Sequence, residues 1–392
     1  MKIFILLSRV PFPLEKGDKV RAFNQIRTLS KEHEIILYAL HEKDVDAEAI
    51  EILKPYCKTF KVLPLHKNNL VLRMLHALLR GLPFQVGYFY HKKIKNEIQE
   101  AIKNLKPDII YCQLCRTAEY VKDIQGTPKV LDLMDAFSKG AERRSQKESF
   151  LVKWLFKLEA QRMRNYESEM LEKFNRTTII SAQDREYIYN PLNKNIAVIS
   201  NGVDFDFFKP FAAEKIYDCV FSGNMNYPPN IDGAIFLAEN IFPLVLQKFP
   251  NAKLLIAGAN PSPKIKKLQS ENIHISGWMD DIRMAYASAK IFVAPLRMGS
   301  GVQNKILEAV SMGLPCITSA LVAKPLGMQK DALLTGENEE EYAAHIISLM
   351  QNPLQAESLH KNALAFIEHA HNWEQINKGL ENIFDELKDT KI

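Results

Sequence analysis

The sequence predicts an α/β protein built from two doubly wound, parallel-sheet domains. Three observations predict it. Short, continuous apolar runs such as KIFILL and AKLLIAG mark strands buried on both faces. These runs alternate with helical segments, which implies parallel strands joined by right-handed crossovers. The alternation breaks once, at the turn-rich NGVDFDFFKP near residue 200, and then restarts. A chain of 392 residues suits two domains. The expected division is 1–199 and 200–370, with a tail, 371–392, whose helix packs back on the first domain. Ligands of such sheets bind at the carboxyl ends of the strands, so two domains facing each other across a cleft would place the site there.

The first element is KIFILL, a strand. The loop SRVPFPLEKGD follows, and then a helix from about Asp18 to Lys31. The strands EIILYAL, TFKVLPL, PDIIYC and KVLDLMD come next, separated by helices. From about Gly140 to Phe174 the pattern reads as one long helix. Phe150, Trp154 and Leu158, then Tyr166, Met170 and Phe174, recur at four-residue steps. TTIISA and IAVIS close the first half. The second half runs DCVFSG, a helix from about Asn230 to Phe249, AKLLIAG, a helix, IHISG, a short helix, KIFVAPL, a helix opening at a glycine turn, PCITS and ALLT. The segment from about Glu339 is helical.

Hydrophobic residues make up 47% and charged residues 25%, the balance of a globular chain rather than a disordered one. A net charge of +5 is too small to argue for nucleic acid. It suits an anionic substrate or an anionic membrane surface. Five cysteines, odd in number and widely spaced, read as reduced thiols of a cytoplasmic protein. Cys112 and Cys115 form a C-x-x-C. Zinc would need a second ligand pair, which the sequence does not offer, leaving a redox motif or two ordinary thiols. The N-terminal apolar run Ile3 to Leu7 is shorter than the core of a secretory signal, about 7–15 residues. No run reaches the ~18 apolar residues of a membrane span. LVLRMLHALLRGL comes nearest, broken by arginines and a histidine. It and the stretch around Lys153, Lys157 and Arg162 are basic and amphipathic, a pattern fitting either peripheral contact with the inner face of the membrane or a core stripe with solvated charges.

The stretch PLRMGSGVQNKILEAVSMGLPCITS holds the densest chemistry. Its G-x-G-x-x-N lacks the third glycine of a dinucleotide fingerprint, and no acid ends the following strand, so a nicotinamide cofactor is not expected. A helix N-terminus still offers free amides and a partial positive charge to a phosphate. Lys305 adds a cation one turn in. Val302, Ile306, Ala309 and Val310 share one helix face; Gly301, Lys305, Glu308 and Met312 share another. A carboxylate at Glu308 suits a vicinal diol such as that of a ribose. The spacing also fits a solvated i, i+3 surface pair.

NKILEAVSMGLPCITS resembles the signature of the family 4 retaining glycosyltransferases, two-domain enzymes of the GT-B fold. VISNGVDFDFFKP is similar to that family's interdomain segment, VFSGNMNYPPNIDGAIFLAENIFP to its first C-domain strand, loop and helix, and ISGWMDDI to its base-proximal loop. KGDKVRAFNQI resembles its N-domain glycine loop. The similarity is strongest over 198–319. It implies that Glu308 is the second glutamate of an E-x7-E pair and contacts ribose. The first glutamate falls at Ser300. The diphosphate would lie on Ser300, Gly301 and Val302, with Gly223 and Asn224 nearby. The usual arginine and lysine are missing from SGNMNYPPN, so Lys305 and Arg297 would supply the charge. In the first half, Gly17 would admit the donor phosphate, or is a plain turn glycine, and Arg21 and Arg9, which flank that loop, would clamp it or are solvated surface charges. Asp135 stands where the family often has a histidine near the sugar; it is equally placed to cap the next helix.

The function implied is transfer of a sugar from a nucleotide-diphosphate donor to a glycan or lipid-linked acceptor with retention, in cell-surface polysaccharide or glycolipid synthesis. Lys305 and Asp135 would be the catalytic residues. No cofactor, metal or nucleic acid is expected; the DFD of Asp204 to Asp206 reads as a turn rather than a metal motif. A sugar-nucleotide epimerase on the same scaffold and a non-catalytic sugar-nucleotide sensor are the competing readings.

Overall fold

The computed structural model describes residues 1–42, 45–65, 70–146, 149–298 and 302–389. The chain divides into two compact units, Met1–Ser200 with the segment from Ile376, and Asn201–Gln375.

Unit 1 holds a seven-stranded sheet in the order β3-β2-β1-β4-β5-β6-β7. The strands are β1 (Lys2–Leu7), β2 (Glu34–His41), β3 (Thr59–Pro64), β4 (Ile109–Gln113), β5 (Lys129–Asp132), β6 (Arg176–Ile179) and β7 (Ala197–Val198). Every pairing is parallel. β1 and β4 are buried along almost their whole length, as an apolar run covered on both faces requires. Strand order reverses between β1 and β4, which places a switch point at their carboxyl ends. The helix Gly17–Leu29 follows β1 there.

The single long helix expected over about 140 to 174 is instead a helical hairpin, Phe137–Ser145 and Phe150–Lys173. Its arms run antiparallel. Ser138 meets Glu167, Arg164 meets Glu142, and the Arg144 guanidinium lies 4.3 Å from the Phe156 ring centre. The residues that carry the four-residue apolar step, Phe150 to Phe174, all lie in the second arm or at its cap, so the step says nothing about where the first arm ends. Only the second part of the stripe is core: Tyr166, Met170 and Phe174 are buried, whereas Trp154 is 67% exposed.

Unit 2 holds a six-stranded parallel sheet, order β10-β9-β8-β11-β12-β13. Its strands are β8 (Tyr217–Ser222), β9 (Leu254–Ala257), β10 (Ile273–Gly277), β11 (Ala289–Ala294), β12 (Cys316–Thr318) and β13 (Leu334–Thr335). Its switch point lies between β8 and β11. The helix Asn304–Ser311 follows β11 and the helix Pro228–Phe236 follows β8, so their N-termini converge on the carboxyl ends of those two strands. The DFD stretch is a turn: Asp204 Oδ1 accepts from the amides of Asp206 and Phe207.

Candidate functional site

The strand ends of unit 2 are closed by glycines. Gly223 follows β8 at φ 152° and Gly258 follows β9 at φ 133°. A Cβ on Gly258 would stand 1.9 Å from the carbonyl oxygen of Gly223, and a Cβ on Gly223 would stand 2.5 Å from Asn230 Nδ2 and 3.0 Å from Lys305 Nζ. Neither position tolerates a side chain. The first contact is with backbone, which yields less readily than the flexible side chains at the second. Gly258→Ala is therefore expected to lower stability by about 2 kcal/mol, checked by thermal unfolding against the parent.

The helix Asn304–Ser311 begins later than the glycine turn. Gln303 is its cap position, and Val302, which is buried, precedes it. Asn201 Nδ2 donates to Asn304 Oδ1 at 3.1 Å and holds the first turn. Ser300 and Gly301 lie outside the described residues. Lys305 and Glu308 face the same way, as i, i+3 neighbours must, but they are not a solvated surface pair. Lys305 Nζ donates to Asn230 Oδ1 at 2.5 Å and lies 4.9 Å from the centre of the Phe221 ring. Burial pushes its pKa down to about 7, with the nearby Glu308 charge opposing the shift. Burial raises the Glu308 carboxyl above the usual carboxylate range, while a hydrogen bond from Tyr286 and the Lys305 charge pull it back.

Tyr286 OH donates to Glu308 Oε2 at 2.8 Å. The phenol has one proton and gives it to the carboxylate, so the 2.9 Å contact with Ser222 is a hydrogen bond from the Ser222 hydroxyl. Ser222, Tyr286 and Glu308 thus form a directed chain under the helix. Oε1 of Glu308 has no protein partner among the described residues. Asn224 shapes the loop itself: its Oδ1 accepts from the Asn226 amide and its carbonyl accepts from Asn230 Nδ2. Gly223, Asn224, Asn230, Lys305 and Glu308 therefore come together at one switch point.

Arg297 does not join them. Its guanidinium makes a two-pronged ion pair with Asp232, at 2.9 and 3.0 Å, and lies over the Phe236 ring. With its charge matched by a carboxylate, the expectation that it supplies the missing clamp loses its footing.

In unit 1, Arg21 is a correction. It is fully buried, and its Nε donates to Asp132 Oδ2 at 2.6 Å while Nη1 donates to the Ser200 carbonyl at 2.8 Å. A guanidinium enclosed in this way holds the sheet to the helix rather than reaching a ligand. Arg9 pairs with Asp18 at 3.2 Å. Gly17 opens the helix after β1, and a Cβ there would meet nothing within 4 Å, so packing does not demand the glycine.

Asp135 does not cap the helix beginning at Phe137. Ala136 is the cap position, and Glu167 from the other arm of the hairpin accepts from the Ser138 amide at 3.1 Å and its hydroxyl at 2.6 Å. Burial, with the charges of Asp184 and Asp132, raises the Asp135 carboxyl to about 7; Arg21 pulls the other way. Met134, just before it, has φ 62°, and Leu114, just past β4, has φ 68°. Backbone strain in bulky residues is thus concentrated at this sheet's carboxyl edge. Arg116, in the first turn after β4, lies 5.1 and 5.2 Å from the ring centres of Phe89 and Phe137.

Cys112 and Cys115 are buried, and burial raises both thiols far from ionisation, Cys112 to about 12. That removes the redox reading of the C-x-x-C. Among the described residues no cluster of histidine, cysteine, aspartate and glutamate could hold a metal ion. No described helix is long and apolar enough to cross a membrane.

Sequence reasoning missed Tyr286, Asn230 and Ser222. Tyr286 lies in MAYASA, where its ring counts as core and its hydroxyl leaves no mark. Asn230 lies in the first turn of the helix Pro228–Phe236, and its side chain carries no sequence pattern that marks it.

Residues 217–352 match the family described as Glycosyl transferases group 1. Over 395 residues the chain is 25% identical to an uncharacterized 44.6 kDa protein in the cps region of Klebsiella pneumoniae, covering 96% of this chain and 97% of that one. Over 210 residues it is 27% identical to the phosphatidyl-myo-inositol mannosyltransferase of Mycobacterium tuberculosis, covering 51% and 52%. Among solved structures, Anabaena HepE in complex with UDP and glucose superposes with a TM-score of 0.70 at 14% identity, over 98% of this chain and all (100%) of that one. WaaG, a glycosyltransferase involved in lipopolysaccharide biosynthesis, superposes at 0.65 with 15% identity, covering 98% and 99%. The fold is that of the GT-B glycosyltransferases.

Proposed function

We propose, from the premise that residues 217–352 form a glycosyl transferases group 1 domain, that this protein transfers a sugar from a nucleoside-diphosphate donor to a glycan or lipid-linked acceptor with retention. The observation that carries the reading is the placement of Lys305 and Glu308 side by side at the β8/β11 switch point, each with a different partner, opposite a glycine that leaves Lys305 room. The names of the relatives, a cps-region protein and a phosphatidyl-myo-inositol mannosyltransferase, support a glycan or lipid acceptor.

The bond to break joins the anomeric carbon to a phosphate oxygen, through a transition state with oxocarbenium character. Negative charge grows on the departing diphosphate. A preplaced ammonium in a dry site stabilises that charge more than it stabilises the ground state. Lys305 fills this role, and diphosphate arriving beside it draws a proton onto an amine that is half-neutral near pH 7 in the empty site. Glu308, oriented by Tyr286, receives the ribose hydroxyls on Oε1. The acceptor oxygen attacks from the leaving-group side, and its proton passes to the departing phosphate oxygen. Asp135, at the strained edge of unit 1 with no capping duty, is assigned to a sugar hydroxyl.

Labelled UDP-, GDP- and ADP-sugars incubated with the protein and a cell lipid extract test this. Transfer with the donor's anomeric configuration kept supports it. Donor rearrangement alone means an epimerase, and binding without turnover means a sensor. Glu308→Ala is expected to weaken binding of the matching nucleoside diphosphate tenfold or more, about 1.4 kcal/mol, measured by calorimetry. Parent-like affinity in that variant would refute the ribose assignment.

A further inference from the structure

We propose that the acceptor carries an oxyanion, a carboxylate or a phosphate, and that Arg116 at the carboxyl end of β4 binds it. The inference rests on the transfer reading above and adds to it the charge of the second substrate.

Ligands of parallel sheets bind where the strand order reverses. In unit 2 that point holds Lys305 and Glu308 and is assigned to the donor. In unit 1 it lies between β1 and β4, which leaves it to the other substrate. Two cations stand there. Arg116 is in the first turn of the helix Cys115–Val121, after β4, and Arg9 lies just beyond β1. Gln113, the last residue of β4, donates from Nε2 to the Asp18 carbonyl at 3.2 Å, and the Asp18 carboxylate pairs with Arg9. The two cations therefore share one edge of the sheet.

The protein itself fixes the Arg116 guanidinium. The Phe89 and Phe137 rings cover it, and its Nε donates to Gln85 Oε1 at 3.3 Å. The rings account for the face of the group and Gln85 for one of its five donors. Among the described residues neither Nη group has a hydrogen-bond partner, and neither is sealed from water. Arg9, Arg21, Arg283 and Arg297 each hold a carboxylate; Arg116 holds none among the described residues. The acids nearest to it are committed, Asp18 to Arg9 and Glu42 to the Tyr88 hydroxyl. Burial and the Arg9 charge push the Arg116 pKa down to about 10, with Asp18 and Glu42 opposing the shift. The group stays charged at neutral pH in surroundings that disfavour the charge. An oxyanion across the two Nη groups offsets that cost with two parallel charge-assisted bonds. A neutral glycan offers the fork no charge.

Methyl glucoside, methyl glucuronide and glucose 6-phosphate present one ring with no charge, a carboxylate or a phosphate. Each is titrated into the full chain saturated with whichever of UDP, GDP and ADP it binds, and the affinity is read by saturation-transfer NMR. At least one anionic sugar is expected to bind about tenfold or more tightly than methyl glucoside, and the better of the two names the acceptor's group. Arg116→Gln should remove that preference and leave nucleotide affinity as in the parent, with a parent-like thermal midpoint confirming the fold. Arg116→Lys keeps the charge without the fork and should recover only part of the preference. A parent that shows no preference for either anion overturns the proposal, as does a preference that survives in Arg116→Gln. A tenfold fall in nucleotide affinity in Arg116→Gln also overturns it, because it assigns Arg116 to the donor. If none of the three nucleotides binds, the transfer reading fails by itself. The same titrations without nucleotide then still decide whether Arg116 selects an anionic sugar.

Discussion

Lys305→Met is expected to lower kcat/KM for sugar transfer about a hundred- to a thousandfold, the usual cost of removing one preplaced donor from a developing oxyanion. Methionine keeps most of the side-chain volume, so the contact with the Phe221 ring survives and the loss is electrostatic. The same residue sets a pH dependence whose sign is fixed. In the empty site Lys305 titrates at about 7; beside a bound diphosphate its pKa is higher. Below pH 7 both states carry the proton and affinity is flat. Above pH 7 binding takes up a proton, and affinity falls about tenfold per unit until the bound-state pKa is reached. Calorimetry in buffers of different ionisation enthalpy reads that uptake. Its persistence in Lys305→Met would assign it to another group and detach Lys305 from the phosphate.

Asp132→Ala is expected to cost about 3–5 kcal/mol, the penalty for stranding one member of a fully buried ion pair. Arg21 and Asp132 both have no solvent exposure, and Tyr111 OH donates to the same Asp132 Oδ2 at 2.9 Å. Without the carboxylate, a guanidinium that is always charged stays buried and loses the charged partner that accepts from its Nε at 2.6 Å. For a unit of this size the loss corresponds to a fall of roughly 10 °C in the thermal midpoint. The double change Arg21→Met/Asp132→Leu should recover much of it, since well-packed apolar side chains often replace a buried pair without net loss. A single variant that melts with the parent would show that the pair adds little, and Arg21 would again be available as a ligand-binding group.

These two residues mark how far the sequence could be read. Lys305 and Glu308 were legible because their common face follows from three residues of helix geometry. The same local rule placed the strands, since a buried parallel strand is a continuous apolar run wherever it pairs. The helical hairpin was not legible. The apolar step lies wholly in its second arm, and contacts between the arms, such as Ser138 with Glu167 and Arg164 with Glu142, show that the chain reverses. Arg21 and Arg297 looked alike as loop-flanking cations, yet one is enclosed with Asp132 and the other is matched on the surface by Asp232. The missing clamp of SGNMNYPPN was seen as an absence. The partner that orients Lys305 is Asn230, in the first turn of the helix that ends that stretch, and nothing in the sequence marks it.

By itself the sequence determined the strand and helix succession, the break near residue 200 and the residue pair at the second switch point, all of which depend on neighbours within a turn or a strand. Only the tertiary structure decided which charges meet a partner and which stay available. Arg21 and Asp132 are 111 residues apart and Lys305 and Asn230 are 75 apart. Whether burial strips an ion of water, and what it finds there instead, depends on every element packed around it.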